Sequence, residues 1–193
     1  EGPFIIGRCA SLSATTAASL LFGYTRETRH WHHTPTKGYL ELANGGTLFL
    51  DQIESLPLEI QGQLAEALVS KSIQRVGGKI PIPLNVRIIA SCLASLKRLQ
   101  EYGTLCPALA VHLQGLAWEL APLHEHAEDI PALVRYFLQV FAREYGIPDK
   151  KITDAAMQYL TTHHWPENVT DLKRLTEQLV LTTSTDCIDV KAL

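Results

Sequence analysis

The sequence predicts an α/β fold, a parallel β-sheet with flanking helices, followed by a small all-helical subdomain. Two compact apolar runs, Thr47-Leu48-Phe49-Leu50-Asp51 and Val86-Arg87-Ile88-Ile89-Ala90, carry the β part. Apolar residues on successive positions suit strands covered on both faces of a parallel sheet. Past Pro122 the pattern changes: apolar residues at 130, 133, 134, 137, 138 and 141 form a helical stripe. The break near 123–130 divides the chain into residues 1–125, the α/β part, and residues 126–193, the helical part.

Taken in order, Phe4-Ile5-Ile6 opens the chain as a short strand. Ser11 to Phe22 has Ser and Thr at its start and a Leu/Ala period, a helix stopped by Gly23. Tyr24 to Lys37 follows: fourteen residues without apolar period and with a proline near the end, a loop long enough to imply a function. Gly38 to Asn44 is a short helix broken by Gly45-Gly46. Leu56-Pro57 launches a helix through Val69, with Leu64, Ala65 and Leu68 on one face. Ile73 to Leu84 is a hairpin around Gly77-Gly78, its outgoing arm weakened by Pro81 and Pro83. After the Val86 strand come helices over Leu93–Tyr102 and Leu105–Leu113, then a third short strand over Gly115–Leu120. Asp154–Thr162 and Val169–Thr182 complete the helical part, punctuated by Trp165-Pro166.

Composition narrows the class. Seventeen Lys and Arg against twenty Asp and Glu leave a net charge of −3, against the basic balance of an intrinsic nucleic-acid-binding module. No apolar run approaches the roughly 18 residues of a membrane span. A chain of 193 residues buries a core without disulfide or metal staples. Cys9, Cys92, Cys106 and Cys187 show neither C-x-x-C pairing nor zinc-ligand spacing, so they are expected as reduced thiols in a cytoplasmic setting. The chain opens at Glu1 without an initiator Met and is expected to be part of a longer protein.

Three stretches carry an identity in combination. L-F-G at 21–23 is followed, after fourteen residues, by G-Y-L-E-L-A-N-G-G-T-L-F-L-D-Q-I at 38–53. R-V-G-G-K-I-P-I-P-L-N-V-R-I-I-A spans 75–90. E-D-I-P-A-L at 128–133 precedes W-P-E-N-V at 165–169. In this order and spacing they resemble the central AAA+ domain of bacterial sigma-54-dependent transcription activators, over essentially the whole chain. The resemblance implies an AAA+ P-loop-type sheet whose first strand and Walker A loop are absent from the chain, with a helical lid behind it. It also implies ring-shaped oligomers that hydrolyse ATP to remodel RNA polymerase bound to sigma-54. Such chemistry needs a phosphate-cradling loop, an acid for Mg²⁺, an acid to polarise water, and arginines to neutralise the transferring phosphoryl group.

Position by position, the resemblance implies loss of that machinery. Asp51 matches the Mg²⁺-associated acid, but Gln52 replaces the family's Glu; an amide holds a water without accepting its proton, and losing a general base costs about 10²–10⁴-fold. Arg8 stands at the position of the Asn that restrains that Glu. Cys92-Leu93 replaces the sensor Thr-Asn, Cys106 and His112 replace the arginine fingers, and Thr170 replaces the lid arginine. The sigma-contacting loop falls on Glu27-Thr28-Arg29-His30-Trp31-His32, without the family's Thr, Phe or glycines. An arginine finger alone is worth about 10³–10⁵ in rate.

Plainer readings stand beside these. Asp51 and Gln52 are equally a strand-end acid and a solvated amide. His30, His32 and His33 lack a Cys or acid at ligand spacing and read as a solvated loop rather than a metal site. His124-Glu125-His126 reads as a surface turn, His163-His164 as a helix end, where imidazolium suits the partial negative charge. Trp118 and Trp165 read as core, and Trp31 as a partner contact. The expectation is a degenerate AAA+ module serving oligomerisation or signal relay, with no cofactor unless an upstream Walker A loop brings ATP and Mg²⁺. Self-association is expected, contact with RNA polymerase or a sigma factor is weighed against the lost loop, and DNA is reached only through a separate domain. Two alternatives remain: a residual ATP- or effector-nucleotide-binding domain, and an interaction module that touches RNA polymerase or a regulator without remodelling it.

Overall fold

The computed structural model describes residues 2–25 and 35–193. The chain forms two compact units, Glu1–Trp118 and Glu119–Leu193.

The first unit is built on three parallel strands: β1 (Phe4–Arg8), β2 (Thr47–Asp51) and β5 (Arg87–Ala90), in the order β1-β2-β5. Ile5 pairs with Leu48, and Leu48 with Ile88, so the three C-terminal ends lie side by side. Helices α1 (Ala14–Phe22) and α2 (Tyr39–Leu42) form the first crossover, and α3 (Leu58–Ser70) lies in the second. Ser13 caps α1, its hydroxyl accepting the Thr16 N–H, worth about 1 kcal/mol. The hairpin around Gly77-Gly78 is a two-residue antiparallel pairing of β3 (Ser72–Ile73) with β4 (Ile82–Pro83). Short helices α4 (Leu96–Glu101) and α5 (Pro107–Leu113) follow the sheet.

Leu48 and Leu50 are fully buried against Leu21, Leu40, Leu64, Leu99 and Leu109. The opposite face of the sheet differs from expectation. Phe4 and Ile6 are 60% and 55% exposed, and Ile89 is 40% exposed, so among the described residues the strands are covered on one face rather than two. Both crossovers step in the same direction along the sheet, and right-handed connections that step the same way lay their helices on the same side.

The expected strand over Gly115–Leu120 does not form. Gln114–Leu116 is a 3₁₀ turn, and Ala117 onward is extended without a ladder partner among the described residues. Trp118, expected in the core, is 90% exposed. Alternating Leu116, Trp118 and Leu120 have the period of a strand, but a strand exists only where a neighbour takes up its backbone hydrogen bonds.

The second unit begins with a 3₁₀ stretch, Leu123–Asp129, running into α6 (Ile130–Tyr145), then α7 (Asp154–Thr162) and α8 (Val169–Thr182). The stripe Ile130, Val134, Phe137, Leu138 and Phe141 packs with Leu160, Trp165, Leu172 and Leu179. Trp165 is core, as expected, and its indole N–H donates to the Leu160 carbonyl at 3.0 Å. A two-residue parallel pairing of β6 (Lys151–Ile152) with β7 (Cys187–Ile188) supplements the helices.

Candidate functional site

Open parallel sheets bind ligands in the crevice beyond the carboxyl ends of their strands. Here that rim is formed by Arg8-Cys9 at the end of β1, Asp51-Gln52 at the end of β2 and Ser91-Cys92-Leu93 after β5. The sequence folds this way because each apolar run ends at a polar residue in the same register. Leu50 pairs with Ala90, which sets Ser91 beside Asp51.

Ser91 organises the rim. Its hydroxyl donates to Asp51 Oδ1 at 2.6 Å, and Ser91 Oγ accepts the Gln52 N–H at 2.9 Å. Its backbone N–H donates to the Leu50 carbonyl, and its carbonyl accepts the Ile53 N–H. Gln52 is thereby turned into the left-handed region, φ 56° and ψ 61°, a conformation that costs a non-glycine residue about 1–2 kcal/mol. A 3₁₀ turn, Ile53–Ser55, follows. From it Glu54 reaches the third strand end: Glu54 Oε1 accepts the Leu93 N–H at 2.8 Å, while Oε2 is buried without a hydrogen-bond partner among the described residues.

Negative charge and burial together silence the thiols at this rim. Burial pushes the Cys9 thiol up to about 12, with the charges of Asp51 and Glu54 adding to the effect. Cys92 is pushed up to about 11 by burial and then by Glu54. Both remain protonated near neutrality, and Cys9 Sγ donates weakly to the Gly7 carbonyl. Among the described residues no Lys, Arg or His lies within ion-pair distance of Asp51 or Glu54.

The structure brings Asp51, Gln52, Cys92 and Leu93 together at one rim. Arg8 is exposed at the end of β1. Cys106 precedes α5, its backbone N–H donating to Gln61 Oε1 at 2.7 Å, and His112 is exposed in the last turn of that helix. Thr170 belongs to the second unit, exposed in the first turn of α8. There Asn168, at φ 55°, accepts the Leu123 N–H on its side-chain oxygen. Residues 27–32, expected as a partner loop, lie outside the described residues, as does Trp31.

The base of that segment is described. Tyr24 and Thr36 exchange backbone hydrogen bonds at 3.0 and 3.1 Å, and Thr25 and Gly23 bond to Val76. Gly23, at φ 80°, and Gly38 make this closure: a Cβ on Gly38 would stand 2.3 Å from Gly23 N. His124 and His126 are exposed in the 3₁₀ stretch, and His163 caps the C-terminal end of α7 against Trp165. Among the described residues no group of three or more His, Cys, Asp or Glu is placed to hold a metal.

Sequence reasoning missed Ser91 and Glu54. Ser91 was findable as the first polar residue after the strand that pairs with the Asp51 strand. Glu54 lies in a segment read only as the approach to a helix, and its role depends on a backbone N–H 39 positions away.

Residues 1–118 match the family model described as the Sigma-54 interaction domain, and residues 124–193 match the AAA+ ATPase lid domain. The nitrogen fixation protein AnfA of Azotobacter vinelandii is 35% identical, over 97% of this chain and 35% of its own length. The DNA-binding transcriptional regulator NtrC of Salmonella typhimurium is 38% identical, over 90% of this chain and 37% of its own. Among solved structures, NtrX from Brucella abortus in complex with ATP superposes with a TM-score of 0.87 at 32% identity, over all of this chain and 42% of that one. Its complex with ADP gives 0.86 at 31%, over all of this chain and 43% of that one. A Thermotoga maritima RuvB mutant, at 15% identity and a TM-score of 0.63, shares the fold. The chain thus spans less than half the length of AnfA, NtrC and NtrX.

Proposed function

This chain belongs to the sigma-54 interaction domain family, with an AAA+ lid behind it, and on that premise we propose that it is a nucleotide-responsive relay module of a transcription regulator that has lost rapid hydrolysis. It binds an adenine nucleotide at the strand-end rim, associates with further copies of itself, and passes the state of the site to domains outside this chain. DNA is reached through such a domain, and the setting is the bacterial cytoplasm. Among the described residues no helix is long and apolar enough to cross a membrane.

The observation that carries the reading is the rim itself. Asp51 is kept and fixed by Ser91, while the neighbouring position presents the Gln52 amide. Asp51 is a hard oxygen donor of the kind Mg²⁺ takes, and it would face the cation of a bound Mg²⁺-nucleotide. Such a cation would neutralise phosphate charge. Gln52 can orient a water but accepts no proton from it. Cys106, His112 and Thr170, at the three expected arginine positions, bring no positive charge fixed on a phosphoryl group. The relatives supply the nucleotide half of the proposal, since NtrX was solved with both ATP and ADP. The lost Thr and Phe of the sigma-contacting loop argue for relay rather than remodelling of the polymerase.

The test uses the full-length protein. Isothermal titration with ADP and ATP in Mg²⁺ should show binding, while ATP turnover stays at background in the wild type. Gln52→Glu should raise it only slightly, because the arginine positions remain unfilled. Brisk turnover by the wild type, or open-complex formation at a sigma-54 promoter, overturns the reading.

A further inference from the structure

The second unit brings together two histidines from distant parts of its sequence. His124 stands in the 3₁₀ stretch Leu123–Asp129 and His164 in the turn between α7 and α8. Their ring centres are 5.7 Å apart and the ring planes are tilted by 48°. Both residues are exposed, yet the backbone beneath each is fixed by the core. Leu123 is buried and its N–H donates to Asn168 Oδ1 at 2.8 Å. Trp165 is buried and its carbonyl accepts the Asn168 N–H at 3.0 Å. Asn168 therefore ties the residue before His124 to the residue after His164.

We infer that His124 and His164 form a surface site for a divalent transition-metal ion, of which Zn²⁺ is the representative. The separation fits a shared ion. With a metal–nitrogen distance of about 2.0–2.1 Å and a ring centre roughly 1.1 Å behind the nitrogen, two imidazoles on one cation have centres about 5–6 Å apart at near-tetrahedral angles. Imidazole suits Zn²⁺, Cu²⁺ and Ni²⁺, whereas Mg²⁺ and Ca²⁺ take oxygen ligands. Two rings already held side by side bind without the cost of gathering their backbones.

The surrounding charge favours a cation. Glu125 Oε1 lies 3.9 Å from His124 Nε2. The same seven-residue stretch carries Glu125, Glu128 and Asp129 and neither Lys nor Arg. No third His, Cys, Asp or Glu is placed as a ligand with the pair among the described residues, so water completes the coordination and the ion exchanges. His126 is turned elsewhere, its backbone at φ −127° and ψ 46° and its Nδ1 3.7 Å from Glu128 Oε1. A bound ion pins the entry of the second unit to the turn between α7 and α8. The inference is independent of the nucleotide reading.

The test is histidine labelling by diethylpyrocarbonate on the full-length protein at pH 7, read residue by residue by peptide mass spectrometry. It is run with ZnCl₂ or MgCl₂ on the wild type and on His124→Ala, His164→Ala and His126→Ala, with circular dichroism confirming that each is folded. In the wild type Zn²⁺ should slow labelling at His124 and His164 with one common midpoint. At ten times that midpoint the rate at both should fall about tenfold by mass action. His126 should keep its rate, and Mg²⁺ should protect neither member of the pair. His164→Ala should abolish the protection of His124, His124→Ala that of His164, and His126→Ala should leave the pair as in the wild type.

The coupled loss separates a shared ion from separate binding at single imidazoles. Protection of His124 that survives His164→Ala, equal protection of His126, equal protection by Mg²⁺, or no protection of the pair each overturns the inference.

Discussion

Arg75 grips Glu41 through two parallel hydrogen bonds, Nε to Oε2 at 2.9 Å and Nη2 to Oε1 at 2.7 Å. Lys37 approaches the same carboxylate at 3.7 Å. The pair joins α2 to the segment before Gly77-Gly78, whose Val76 bonds to Gly23 and Thr25. One ion pair therefore fixes the two strands of backbone from which residues 26–34 emerge. The Arg75 hydrogen bonds hold the Glu41 carboxyl below its ordinary value.

Removing this grip should loosen the first unit in a pH-dependent way. Glu41→Gln is expected to cost about 1–2 kcal/mol at pH 7, the worth of a half-buried charge-assisted pair. Because the folded pKa is lowered, the wild-type advantage is full above the unfolded value of about 4.3 and is lost as pH falls through the lower folded value. Urea unfolding at pH 7, 5 and 3 should show the gap between wild type and variant closing only at the most acidic point.

Gln61 is wholly buried in α3 and spends its amide on three partners. Nε2 donates to the Leu56 and Thr104 carbonyls at 2.8 and 2.9 Å, and Oε1 accepts the Cys106 N–H at 2.7 Å. Gln61→Leu keeps much of the volume but leaves those backbone groups without partners. A loss of about 2–4 kcal/mol follows, read as a lower urea midpoint at unchanged slope. A loss under about 1 kcal/mol would mean that water replaces the amide.

Much of this architecture was legible from periodicity. The Thr47–Asp51 run, the Gly23 stop, the Gly77-Gly78 hairpin and the α6 stripe are local patterns, and each formed where its residues dictate. What failed was non-local. Successive apolar residues in β2 implied cover on both faces, yet which face a helix takes is decided by the direction of the crossovers. Leu116-Ala117-Trp118 has strand chemistry but no ladder partner among the described residues. At the rim Asp51 and Gln52 were legible from their motif. Ser91 and Glu54 were not, because their contacts cross 40 and 39 positions of sequence.

The buried thiol of Cys9 makes a prediction at alkaline pH. A free thiol has a pKa of about 8.5, while burial holds Cys9 at about 12. Above about pH 8.5 the unfolded chain releases a proton that the folded chain keeps, so stability falls as pH rises toward 12. Cys9→Ala should lose packing energy at pH 7 yet show a shallower decline between pH 8 and 10. Parallel urea titrations measure the two slopes, and equal slopes would show that Cys9 ionises freely in the folded protein.

Gln52 combines a strained backbone with the position on which the chemistry turns. Its left-handed φ of 56° is imposed by Ser91, which binds the Gln52 N–H and the Ile53 N–H from one residue. Glycine adopts that conformation freely but loses about 0.5–1 kcal/mol more entropy on folding, whereas a β-branched residue meets the full steric penalty. Gln52→Gly should therefore lie within about 1 kcal/mol of the wild type, and Gln52→Val should be less stable by about 1–3 kcal/mol. Ser91→Ala, which removes the acceptor but not the backbone bonds, should reduce the difference between the Gly and Val variants when combined with each. Thermal unfolding of the five variants decides it. If Val at 52 is tolerated as well as Gly, the turn after β2 is set by something other than Ser91, and the aim of the residue-52 side chain into the rim loses its physical cause.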